Sequence, residues 1–280
     1  MTTEIYILLA TCVLLIVWLC FEYAAHRRRL AQIPIRIHVN GTRGKTSVTR
    51  LIAAGLREAK IRCVAKTTGT VPRFVLPTGR EVPVYRPSGA NIIEQRQAVS
   101  VAAAQRAEAL VVECMALQPY LQWLSETRLI RATHAVITNA RPDHLDVMGP
   151  TEDDVARALV GMVPAEGVFL SAERKYRDFF ERVATEKKTR YRGAEDISLE
   201  ISDEDMERFS YREHLDNVKL AIAVCEDVGV PADVALQGMW KAKPDPGAMS
   251  ESYLHFFGRD VVFVNGFAAN DPISTRSLWE

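Results

Sequence analysis

The sequence carries no net charge: 35 Lys+Arg balance 35 Asp+Glu over 280 residues. A general nucleic-acid binder has a strongly basic domain, so this balance gives that class no support, and nucleic acid is not expected among the partners. Cysteine is scarce. Cys12, Cys20, Cys63, Cys114 and Cys225 are odd in number and scattered, and no CxxC pair occurs. Neither a zinc site nor a disulfide framework is suggested, and reduced thiols are expected. Internal repeats and low-complexity segments are absent. Hydrophobic residues make up 48% and charged residues 25%, which suits a chain folded around a core, in one large domain or two small ones.

Long uncharged runs are also missing, except at the N-terminus. From Ile5 to Phe21 no residue is charged. A bilayer span takes ~20 apolar residues, with ~17 as the lower limit. Glu4 lies before the run and Arg27-Arg28-Arg29 after it, the reverse of a signal peptide. The positive-inside rule then predicts one uncleaved anchor over 1–23 in the inner (cytoplasmic) membrane, with the catalytic part in the cytoplasm. Trp18 and Tyr23 suit the inner interface. Residues 24–34 read as a basic juxtamembrane linker, its first part a short helix.

Beyond the anchor, strand and helix signals alternate. Ile35–Val39 reads as a strand, Thr46–Ala59 as a helix and Arg62–Lys66 as a strand. A hairpin is expected around Pro77–Arg80 and a helix over Ile92–Ala107. Leu110–Val112, Ala135–Thr138 and Gly167–Leu170 read as buried strands, with a helix over Thr151–Val163 between the last two. Asn217–Val228 and Pro231–Trp240 are further helices. The pattern predicts an α/β fold, a parallel sheet flanked by helices. Ligands bind such sheets at the carboxyl ends of the strands.

Four polar segments stand at or near those ends. In Asn40-Gly41-Thr42-Arg43-Gly44-Lys45-Thr46-Ser47 a strand runs through a glycine turn into a helix, so successive backbone N–H groups can cradle a phosphate. Lys45 can reach the β- and γ-phosphates, and the Thr46 hydroxyl can ligate Mg²⁺. The full Walker pattern has glycine where Val39 stands. Glu113 ends the Leu-Val-Val strand and offers a hard oxygen ligand to Mg²⁺. Cys114 reads as a small packing residue. Asn139 to Asp146 gathers an amide, carboxylates and the imidazole of His144. Asn217 opens a helix, where an asparagine either caps the helix or contacts a nucleotide.

Together these segments resemble the Mur ligase superfamily. Its nucleotide loop corresponds to Gly41–Ser47, its magnesium glutamate to Glu113, its N-x-x-x-D-H-x-D segment to Asn139–Asp146, and its H-x-x-N-x-x-x-A-x-A helix to His214–Ala223. Within it, NGTRGKTSVTRL, KTTGT, PSGANIIEQ, VECMA, DHLDVMGPT, PDPGAM and VNGFAANDPIST are similar to the ligase subunits of poly-γ-glutamate synthases, and an N-terminal anchor suits that group. The resemblance implies a P-loop central domain over 35–258 that binds ATP and Mg²⁺ and adds glutamate to a poly-γ-glutamate acceptor through an acyl phosphate. It implies Lys45 and His144 as catalytic residues. Asn40–Ser47 and Asn217 become nucleotide contacts, and Thr46, Glu113 and His144 metal ligands. Small membrane subunits are implied as partners. Arg73, Arg86 and Arg141 are candidates for holding substrate carboxylates.

The sequence departs from the family in two ways. Many Mur ligases carry a carbamylated lysine about fifteen residues after the histidine, whereas here no lysine occurs between Asp146 and Lys175. The family's central domain is also followed by a Rossmann-like domain, and residues 259–280 read as its first strand, loop and helix start only. The chain as given is therefore expected to bind ATP weakly, to lack ligation, and to pack 261–280 poorly. The competing readings are a folylpolyglutamate-type ligase, a membrane-anchored P-loop ATPase of assembly or regulation, and a catalytically inactive interaction subunit.

Overall fold

The computed structural model describes residues 2–87, 89–248, 250–265 and Arg276. In chain order its first half comprises α1 (Thr2–Ala31), β1 (Ile35–Asn40), α2 (Lys45–Glu58), β2 (Cys63–Lys66), β3 (Arg73–Val75), β4 (Glu81–Pro83), α3 (Glu94–Ala104), β5 (Ala109–Glu113) and α4 (Pro119–Leu124), which continues as a π-helical turn, Ser125–Ile130. Then come β6 (His134–Ile137), α5 (Leu145–Met148), α6 (Glu152–Leu159), β7 (Val168–Ser171), α7 (Arg177–Glu186), β8 (Arg190–Gly193), α8 (Asp203–Glu207), α9 (Leu215–Asp227) and α10 (Ala232–Met239). A hairpin of β9 (Ser250–Phe256) and β10 (Arg259–Asn265) ends the described chain, apart from Arg276.

The main sheet has the order β4-β3-β2-β5-β1-β6-β7-β8. Its strands from β2 to β8 are parallel, and β3 and β4 extend one edge antiparallel. The chain leaves β1 to one side for β2 and β5, then crosses to β6. The strand order therefore reverses at β1, and that is where such sheets open a binding crevice. The central strands are apolar because both faces are covered. Ile37, Val39, Val111 and Val136 pack under α2, α9 and α10, while Ala135, Ile137 and Phe169 meet α6 and α7 on the other face.

One strip of that second face is polar. Period-two alternation sends His38 and Asn40 of β1 away from Ile37 and Val39. Both are buried. Glu126 accepts from His38 Nδ1 at 3.0 Å, and Gln122 accepts from Asn40 Nδ2 at 2.7 Å, both from the α4 helix and its π continuation. Burial pulls the His38 pKa down, but the Cys114 thiol and the Glu126 carboxylate outweigh it and push it up to about 9.

The anchor and the basic segment form one continuous helix. Its residues before Glu22 are exposed, whereas His26 and Leu30 are buried against the domain. The stretch Thr3–Ala31 is long and apolar enough to cross a membrane. All five cysteines are free, three of them buried. The expected strand Val261–Asn265 pairs with β9 as an antiparallel ribbon whose apolar side chains are about half exposed. Apart from Arg276, the loop and helix expected after it lie outside the described residues.

Candidate active site

The phosphate loop forms where β1, buried at the centre of the sheet, delivers the chain to α2. Gly41 and Gly44 have φ of 128° and 79°, conformations that glycine adopts without steric cost. Space also matters: a Cβ on Gly41 would overlap Thr138 Oγ1, and one on Gly44 would lie 2.7 Å from Asn217 Oδ1. Asn217 is thus a buried residue wedged beneath the loop, and its amide also donates to Glu213 at 2.8 Å.

The loop is tied from the β6 side. The Asn139 carboxamide oxygen accepts from Thr42 Oγ1 at 2.6 Å and from the Arg43 N–H at 3.0 Å, and its Nδ2 donates to the Arg43 carbonyl at 3.1 Å. Thr138 Oγ1 donates to the same carbonyl at 2.5 Å. The Arg141 N–H donates to Thr42 Oγ1 at 3.0 Å. Lys45 folds back over the loop, its ammonium donating to the carbonyls of Gly41 (2.7 Å) and Thr42 (3.1 Å). The cation is therefore held at the mouth of the cradle by the loop's own carbonyls.

Glu113 ends β5 beside this loop, as the parallel register of β1 with β5 requires. The Thr46 hydroxyl donates to its carboxylate at 3.0 Å, and the Thr68 N–H donates at 2.6 Å. Gln95 of α3 donates to its backbone carbonyl at 3.2 Å. A fourth group joins from the segment after α10. Asp245 Oδ2 is buried and, among the described residues, has no hydrogen-bond partner. It and Thr46 Oγ1 lie 2.6 and 2.7 Å from the point where a Cβ on Gly69 would stand. Thr46, Glu113 and Asp245 are all hard oxygen donors, the set that Mg²⁺ prefers, and the orphaned Asp245 oxygen is a group that a cation would satisfy.

His144 stands apart from that set. It has φ of 47° and is about half exposed, and its Nε2 lies 3.8 Å from Asp143 Oδ1. Among the described residues no hydrogen bond or ion pair joins it to Thr46 or Glu113. No three His, Cys, Asp or Glu side chains gather there in metal-binding geometry.

Of the three candidate arginines, Arg86 is already engaged. It donates to both oxygens of Glu94, at 2.6 and 2.9 Å. Glu94 also pairs with the fully buried Lys66 at 3.0 Å. Burial alone would raise the Glu94 pKa, but Arg86 and Lys66 hold it below the usual carboxylate range. Burial lowers the Lys66 pKa, opposed by Glu94 and by Glu113. Arg141 contributes its backbone N–H to the loop, and Arg73 starts the edge strand β3.

Sequence reasoning missed Gln95, Asp245 and the pairing of its candidate Arg86 with Glu94 and Lys66. The Pro-Asp-Pro-Gly stretch enters the sequence reading as part of a segment similar to the ligase subunits, with no role given to Asp245. A carboxylate between two prolines, in a segment already similar to a ligase motif, was the available signal.

Comparison with known proteins agrees with this geometry. The Mur ligase middle domain matches residues 39–243. The capsule biosynthesis protein CapB of Bacillus anthracis is 44% identical over 270 residues, 96% of this chain and 58% of that protein. The PGA synthase CapB of Bacillus subtilis (strain 168) is 38% identical over 277 residues, 98% of this chain and 70% of that protein. The chain thus spans 58% and 70% of the length of these two relatives. Among solved structures, a bifunctional folylpolyglutamate synthase/dihydrofolate synthase with Mn, AMPPNP and L-glutamate bound superposes with a TM-score of 0.68, at 17% identity, over 95% of this chain and 73% of that one. FolC of E. coli in complex with ADP gives 0.66 at 17% identity, over 91% and 67%. At such identities the likeness shows the fold.

Proposed function

The chain belongs to the Mur ligase family, and from that premise we propose that it is the ATP-dependent ligase part of a poly-γ-glutamate synthase. It joins the amine of glutamate to the terminal carboxylate of a poly-γ-glutamate acceptor. The acceptor carboxylate oxygen attacks the γ-phosphorus of ATP, ADP leaves, and an acyl phosphate forms. The glutamate amine then attacks the acyl carbon, and inorganic phosphate and a proton leave as the amide bond closes. The observation that carries this reading is the Thr46–Glu113 pair at the mouth of the tied phosphate loop.

Phosphoryl transfer spreads negative charge over the γ-phosphoryl oxygens, so the site's work is positioning and charge stabilisation. The loop N–H groups bind the phosphates. Lys45 moves its ammonium from the loop carbonyls to the phosphate oxygens. Thr46, Glu113 and Asp245 would hold magnesium, which would supply neutralising charge at the phosphates, with His144 as a further ligand by family pattern. Asn217 backs Gly44 beneath the loop. Residues 35–258 form the ATP-binding domain, and 259–280 open the Rossmann-like domain of the family.

The apolar N-terminal helix anchors the protein in the inner membrane, and Arg27–Arg29 place the domain in the cytoplasm, alongside small membrane subunits. A reporter fused after Arg29 should be active in the cytoplasm; periplasmic activity overturns that topology. For the reaction, glutamate-dependent ADP release by the synthase containing this chain is the test. ADP release independent of glutamate and of acceptor would instead make it a P-loop ATPase.

A further inference from the structure

The way α1 docks on the domain fixes which edge of the sheet faces the membrane. Glu22 accepts from Arg96 Nη2 at 2.7 Å, while Gln95, the neighbour of Arg96 in the first turn of α3, reaches the Glu113 carbonyl. Glu22 therefore stands level with the carboxyl end of β5. At its other end α1 buries Leu30, and Ile33 follows, close to where β1 and β5 begin. The lengths agree. Eight residues of helix from Glu22 to Leu30 rise about 12 Å, and β5 from Ala109 to Glu113 spans about 13 Å. The docked residues Glu22, His26, Arg29 and Leu30 recur at helical spacing, and His26 Nε2 pairs with the Leu129 carbonyl at 2.9 Å.

α1 thus descends alongside the sheet and, traced backwards from Glu22, leaves the domain at its carboxyl edge. The uncharged run Ile5–Phe21 lies wholly beyond that edge and is exposed. The same edge displays large apolar side chains. Tyr85 follows β4 and is 77% exposed, and Ile93 precedes α3 and is 57% exposed. Both border the hollow beside Glu22 and Arg96. Tyr120, in the first turn of α4, is 65% exposed. Tyrosine rings with an apolar body and a polar tip belong at a headgroup layer.

We infer that the carboxyl edge of the sheet, which carries the phosphate loop and Glu113, lies against the lipid headgroups, with Tyr85, Ile93 and Tyr120 seated in them around the emerging helix. The acceptor chain then enters and leaves along the bilayer surface. This inference rests on the anchor reading of α1.

The test uses the full chain in phosphatidylcholine/phosphatidylglycerol nanodiscs, with Cys12 and Cys20 changed to serine. Cys63, Cys114 and Cys225 are buried and stay unlabelled. A fluorophore is placed at Tyr85→Cys, at Ile93→Cys or at Glu186→Cys, the last an exposed position at the end of α7, on the opposite edge of the sheet. With nitroxide carried on the lipid headgroup, the dyes at 85 and 93 lose most of their emission and the dye at 186 keeps it. Equal emission at all three sites, in a chain that co-floats with vesicles, overturns the orientation while leaving the anchor intact. A chain that does not co-float overturns both. Quenching that appears only after a second membrane protein is added overturns lipid as the occupant.

Discussion

The two sides of the candidate site are built differently. The phosphate-loop side is held by a network of hydrogen bonds. Thr138, Asn139 and Arg141 hold the loop, Lys45 sits over it, and Thr46 meets Glu113. The His144 side is a half-exposed turn whose imidazole contacts only its neighbour Asp143 among charged partners. A loop that must grip phosphate gains from being rigid beforehand, because the ordering entropy is not charged to binding. A group that acts once substrate is present can stay loose. The contrast predicts that deleting the hydrogen bonds that clamp the loop lowers both affinity and stability, and that substitutions in the His144 turn leave stability unchanged.

The largest effect is expected at Lys45. Lys45→Ala removes the cation at the phosphates and little core area. Turnover of ATP should fall by about 10²–10³-fold, by analogy with loss of a charge-stabilising donor at other active sites, with an unchanged melting temperature. A variant that keeps its rate would remove the loop from the mechanism.

Asn139→Ala comes next. It deletes three hydrogen bonds to Thr42 and Arg43 and leaves partly buried polar groups unpaired. Stability should drop by about 2–3 kcal/mol, and nucleotide affinity should weaken with it. Denaturant unfolding and nucleotide titration of the same sample read both. Weakened affinity at full stability would mean that Asn139 touches nucleotide and does not clamp the loop.

The polar support beneath β1 gives the third prediction. The His38 pKa rises from 6.5 to about 9 on folding. Its contribution to stability is therefore complete below pH 6.5 and is lost as pH climbs through about 9, a change of at most about 3 kcal/mol. Unfolding free energy should decline across that window in the native chain, and the decline should vanish in His38→Gln. A flat profile in the native chain would show that the His38–Glu126 pair carries no charge.

The contrast between the two sides also governs how much of this was readable. The central strands β5, β6 and β7 announce themselves because burial on both faces demands apolar runs, β1 through its alternating Ile35, Ile37 and Val39, and the glycine turn after β1 because Gly41 and Gly44 have no room for a Cβ. β8 went unread. Arg190-Tyr-Arg-Gly is an edge strand whose arginines pair with Glu226 and Asp227 of α9, so its charges mask the strand. The helix from Pro119 to Ile130 went unread because its buried face is Gln122, Ser125 and Glu126. That face becomes intelligible only when β1 is seen to offer His38 and Asn40 to it. The Lys66–Glu94–Arg86 cluster joins residues from three separate segments, and no local pattern points to it. The basic stretch after the anchor is helical as expected, but docking on α3 makes it continuous with the span and not a separate linker.

The smallest effect is expected at the carboxylates beside Thr46 and at His144. Glu113→Gln and Asp245→Asn each remove a charge from the hollow beside Thr46 while keeping side-chain volume. Each should raise the magnesium concentration needed for tight nucleotide binding several-fold, Glu113 more than Asp245 because the Thr46 and Thr68 contacts already orient its carboxylate. His144→Ala should shift the same titration less than either, because its imidazole is joined to neither Thr46 nor Glu113. Titrating magnesium against nucleotide binding, without turnover, separates the three. A shift for His144→Ala as large as that for Glu113→Gln would mean that the His144 turn closes onto the metal when nucleotide binds, so that the open side is built by ligand. An Asp245→Asn variant that binds magnesium normally would return Asp245 to the turn that its sequence describes.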